Sequence, residues 1–139
     1  MKMRICILAL LALMSLSAHA ESTLKLSEVV RFDGRAVGYA ATESQNYQAF
    51  RAEVERGEAA APLFEELLKT GTPAAKLYSA LGLYHLDRER GVKALQSLSG
   101  DTTKVSEMNG CMVDETTVGA TAKMLLGDNE AVARAYLPR

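Results

Sequence analysis

Residues 72–87 read Thr-Pro-Ala-Ala-Lys-Leu-Tyr-Ser-Ala-Leu-Gly-Leu-Tyr-His-Leu-Asp, and this stretch decides the fold. Thr72 is a helix N-cap, and Pro73 fits the first helical position, where its missing N–H costs nothing. At 100° per residue, Lys76, Ser79 and Asp87 share a narrow polar strip. Ala74, Leu77, Tyr78, Leu81, Tyr84 and Leu86 cover most of the remaining circumference, so the helix should be packed on several sides. His85 falls on the apolar face beside Leu81 and Tyr78, where a core histidine bonded to a carbonyl or a tyrosine hydroxyl is expected.

Upstream, Thr42 and Gln45 have capping-box spacing, followed by Tyr47, Phe50 and Val54 on one helix face and a stop at Gly57. Pro62 opens a second helix that buries Leu63, Phe64, Leu67 and Leu68 and ends at Gly71. Downstream, Arg88 to Leu98 places Val92, Leu95 and Leu98 together and closes at Gly100. Lys104 to Asp114 then reads KVSEMNGCMVD, and Asn109-Gly110 is a strong two-residue hairpin signal. That loop would set Met108 opposite Cys111 and Ser106 opposite Val113. The apolar alternation is poor, so a plain loop is the rival.

Asp114 is a candidate N-cap for a helix through Val118, Ala122 and Leu125 to Gly127, and Asp128 for a last short one through Val132 and Tyr136. Residues 21–41 read as mixed, with a short helix after Ser27 carrying Val29, Val30 and Phe32, and a turn at Asp33-Gly34. The expected fold is mostly α, a bundle of about five short helices with a β-hairpin near residues 104–114. Nothing divides residues 21–139 into more than one domain.

Within residues 76–98, Tyr78, Leu81, Gly82, Ala94 and Leu98 stand at the spacing of a tetratricopeptide-type helical hairpin, and the stretch resembles one degenerate copy. His85 occupies that family's first-helix Tyr position, and its later Ala and Pro are replaced by Asp101 and Ser106. No second copy occurs, and two ordinary antiparallel helices with a small residue at their crossing are the favoured reading of the same residues. The resemblance implies peptide or protein binding and no catalysis.

The chain opens as an export signal. Lys2 and Arg4 precede the apolar run Ile5 to Met14, and Ala18-His19-Ala20 fits signal-peptidase cleavage after Ala20. The run is shorter than the roughly 20 apolar residues a bilayer span needs. Cleavage leaves a single domain without a membrane span, expected in the periplasm or outside a bacterial cell. Of 16 basic residues, losing Lys2 and Arg4 leaves 14 against 17 acidic ones, a balance that argues against nucleic-acid binding. Cys6 leaves with the signal, so Cys111 has no internal partner in an oxidising compartment. Free cysteine is among the most buried residue types, so Cys111 is expected to pack inward as a small hydrophobe.

Chemistry is sparse. His19 and His85 are the only histidines, and no phosphate loop, dinucleotide glycine pattern, nucleophile elbow or zinc motif is present. Cys111 with His85 is the one nucleophile pair available, and it would define a thiol-dependent enzyme or redox protein. Arg88, Arg90 and Lys93 read as a solvated helix face. The balance favours a non-catalytic module, without cofactor or metal, that binds another envelope or secreted protein.

Overall fold

The computed structural model describes residues 23–139. The expected export signal and cleavage point lie outside the described residues. A 3-10 turn, Leu26–Glu28, leads into strand β1, Arg31–Val37. Helices α1 (Gln45–Val54), α2 (Ala61–Thr70), α3 (Pro73–Leu86) and α4 (Arg88–Leu98) follow. Strands β2 (Lys104–Gly110) and β3 (Met112–Thr117) come next, then α5 (Val118–Tyr136). The described chain is thus mostly helical, with five helices and one small mixed sheet.

Helix α3 lies at the centre. Ten of its fourteen residues are buried, and it packs against α1, α2, α4, α5, β1 and β2. The sequence signals that define it are realised: Thr72 Oγ1 accepts from the Ala75 amide, and Pro73 occupies the first turn. Gly82 is required by close approach, since a Cβ there would lie 2.4 Å from the Phe64 ring of α2. Asp87 ends α3 and caps α4 through the Arg90 amide.

An aromatic cluster joins α3 to the sheet and to the C-terminus. Phe50 stacks on Tyr78 with ring centroids 4.9 Å apart, Tyr78 tilts against Phe32 at 4.8 Å, and Phe32 stacks on Tyr136 at 4.9 Å. Such offset contacts add to the burial of large apolar area. The Tyr47 hydroxyl donates to the Tyr136 carbonyl at 2.6 Å, tying α1 to the end of α5.

The sheet order is β1-β2-β3, with β1 parallel to β2 and β3 antiparallel to it. Several local expectations are corrected here. Phe32 lies on a strand, not a short helix, because β1 finds its partner in β2 across the helical crossover. Asp33-Gly34 is inside that strand and forms no turn. Helix α1 is capped by Ser44, whose Oγ accepts from the Tyr47 amide, while Thr42 instead bridges to Val37. Asp114 belongs to β3, and Thr117 caps α5. The break expected at Gly127 is present: Gly127 is extended, and Asp128, Asn129 and Glu130 all have positive φ.

Candidate docking surface

The hairpin pairs Asn109 with Met112 and Met108 with Val113, so its two-residue loop is Gly110-Cys111. This is one residue later than the Asn-Gly signal indicates. Asn109 stays in the strand because its Oδ1 accepts from the Tyr136 hydroxyl. Gly110 alone supplies the positive φ, at +56°. A glycine with positive φ at the first loop position is the pattern of a type II′ hairpin turn, which suits strand twist.

The slip moves Cys111 from the expected inward face to the exposed tip. His85 is also corrected. It is exposed rather than buried, because the last turn of α3 emerges from the core before Asp87. Among the described residues no hydrogen bond or ion pair joins the two, one standing at the hairpin tip and the other at the end of α3.

Beside the tip, β1 ends in a tight loop. Val37 and Thr42 exchange backbone hydrogen bonds at 2.9 and 3.1 Å, and the Gly38 amide donates to the Gly110 carbonyl at 2.8 Å. Ala41 closes the loop with φ +49°, a conformation that costs an L-residue about 1–2 kcal/mol. The bridge on either side holds that strain. Tyr39, at the apex, is fully exposed, and Met112 and Val113 are 67% and 54% exposed. Residues 36–42 and 108–113 contain no Asp, Glu, Lys, Arg or His, in a chain with 24% charged residues. The end of the sheet is therefore an uncharged tip that exposes an aromatic ring, a thiol and, on opposite faces of β3, a thioether and a valine.

Two carboxylates are buried among the described residues, and neighbouring side chains hold each. Asp33 is fully buried, and its carboxylate receives Arg31 and Asn46. Glu130, 7% exposed, accepts from Arg88 at 2.6 and 2.7 Å and from the Tyr84 hydroxyl at 2.9 Å. The Arg88 guanidinium in particular holds its carboxyl below the usual range. Burial pushes the hydroxyls of Tyr47 and Tyr136 up to about 12 and raises that of Tyr78 well above its ordinary value.

Two clefts lie away from the tip among the described residues. One, of about 320 Å³, lies between Leu24 and α1, and its only charged side chain, Arg51, pairs with Glu43 and Glu55. The other, about 280 Å³, has Leu68, Leu83 and Ala94 in its lining and Arg90 beside it. Arg90 is engaged by Glu58 and Glu65. Among the described residues no group of three or more His, Cys, Asp or Glu side chains is placed to hold a metal ion. Likewise, no described helix is long and apolar enough to cross a membrane.

Sequence reasoning missed Tyr39 as a surface residue. The usable signal was the absence of charge around it, repeated around Asn109-Gly110. No protein family, curated protein or solved structure matches this chain.

Proposed function

We propose that the chain is an exported, non-catalytic interaction module of a bacterial envelope or secreted system, which contacts another protein through the uncharged end of its sheet. The observation that carries this reading is the joint exposure of Tyr39, in the loop after β1, and of Met112 and Val113, at the start of β3, on two segments tied by the Gly38–Gly110 hydrogen bond. Clustered, exposed apolar groups with an aromatic among them are what interface cores are made of. The tetratricopeptide-like spacing of Tyr78, Leu81, Gly82, Ala94 and Leu98 agrees with a binding role. A benzoylphenylalanine photoprobe at position 39 should crosslink to one discrete protein in the exported fraction. The same probe at Lys69, exposed on α2, should not. Equal, diffuse labelling from both positions overturns the reading.

A second reading is favoured by one specific observation, the exposure of Cys111. A thiol-dependent enzyme or redox protein would use that sulfur as its nucleophile, with His85 reaching it only after movement or in a complex. Cys111→Ala separates the two readings: crosslinking from position 39 survives in the first, and all activity is lost in the second.

A further inference from the structure

Strand β3 is the outer member of the sheet, and among the described residues no strand pairs with its far side. Met112 through Glu115 are all exposed along it. An open edge presents a row of N–H and C=O groups ready to pair with another extended chain.

Charge decides what that chain is. Glu115 is answered by Lys104, with Nζ and Oε1 2.7 Å apart. Asp114 is not answered: its direct cross-strand neighbour is Glu107, a second acid, and neither forms an ion pair among the described residues. Glu107 is oriented by the Thr121 hydroxyl at 3.0 Å, which fixes the like-charged pair on the α5 side of the hairpin. Like charges set directly opposite one another are destabilising, and a cation in the next strand relieves them.

A second copy does not supply that cation. Antiparallel self-pairing about the middle of β3 sets Asp114 against Glu115, or one of them against itself. Self-pairing therefore adds acids to acids.

We propose that the far edge of β3 takes up an extended segment of the partner protein as a fourth strand, with a Lys or Arg of that segment beside Asp114 and apolar side chains against Met112 and Val113. This rests on the interaction reading above and names the chemistry of its partner. Asp114 and Glu107 supply the electrostatic preference, the backbone edge supplies the register, and the uncharged tip supplies apolar contact.

The test uses the processed protein and three fluorescent eight-residue peptides of alternating Thr and Val. One carries a central Lys, one a central Glu, and one the Lys with alternate backbone nitrogens methylated. The Lys peptide should bind about fivefold or more tightly than the Glu peptide, the methylated one should not bind, and Asp114→Asn should remove most of the preference. Hydrogen exchange should slow at alternate amides of β3 in the Lys complex. Equal binding of the Lys and Glu peptides, no binding by either, or protection elsewhere in the fold overturns the proposal. So does concentration-dependent self-association that protects β3 without peptide, which would assign the edge to a second copy. Crosslinking from position 39 reports separately: a discrete product there with indifferent peptides leaves the interaction reading standing and removes only the added strand.

Discussion

The Tyr78 hydroxyl sits between the amide and the carbonyl of Asp33, accepting from the first and donating to the second at 2.8 Å each. A side chain from the central helix thus satisfies two backbone groups on the outer side of β1, 45 residues earlier in the chain. Because all three groups are buried, Tyr78→Phe strands a donor and an acceptor away from water. At about 1–3 kcal/mol for each of the two buried groups, the loss should be roughly 2–6 kcal/mol in a denaturant melt. A change below about 0.5 kcal/mol would mean water replaces the hydroxyl.

Ser79 gives the opposite sign. The residue is fully buried, and its Oγ has no hydrogen-bond partner among the described residues. We expect Ser79→Ala to stabilise the protein by about 1 kcal/mol, since an unpaired hydroxyl is removed from the core. Leu81→Ala, two positions on and equally buried, should cost about 2–5 kcal/mol through lost burial and a cavity. Melts of the two variants that move in the same direction would contradict the packing of α3.

The Arg88–Glu130 pair sets an acid dependence. Glu130 has its folded pKa lowered, chiefly by the hydrogen bond from Arg88, so in the ordinary carboxyl range the unfolded chain binds the extra proton. Its contribution is complete above that range and disappears as pH falls through the lowered value. The stability difference between wild type and Glu130→Gln should therefore be largest near neutral pH and shrink under acid. Parallel stability curves from pH 7 to pH 3 would refute the linkage.

At the hairpin tip, a small alkylating reagent should label Cys111 in the folded protein nearly as fast as in the unfolded chain. Cys111→Ala should melt within about 0.5 kcal/mol of wild type, as expected for an exposed site. Gly110 has φ +56°, and a Cβ added there would meet nothing within 4 Å. Gly110→Val should therefore be more damaging than Gly110→Asn for backbone reasons alone. Protection of the thiol from alkylation would contradict the register of β2 and β3.

Helices α2, α3 and α4 were legible because their signals are local: Pro62 and Thr72-Pro73 each act within a turn of where they stand, and the Val92, Leu95 and Leu98 spacing lies wholly within α4. Strand β1 was not legible, because its pairing partner lies about seventy residues away and its Asp-Gly dipeptide ordinarily signals a turn. Burial of the Asp33 carboxylate against Arg31 and Asn46 removes the side chain from that local competition. The hairpin was legible to within one residue. Its register depends on Tyr136 holding Asn109, a contact from 27 positions away. The same slip hid the exposure of Cys111, and the emergence of the last turn of α3 hid that of His85.

The two margins of the sheet differ in a way that fixes valency. The β1 margin is closed at Asp33 by Tyr78 and at Val37 by Thr42, whereas the β3 margin is open among the described residues. Edge-to-edge polymerisation needs two free margins on every unit, one to receive and one to offer. Among the described residues this sheet has only one. With one open margin per unit, edge pairing between copies joins at most two of them, so the fold is built to end β-pairing rather than to pass it along a fibre.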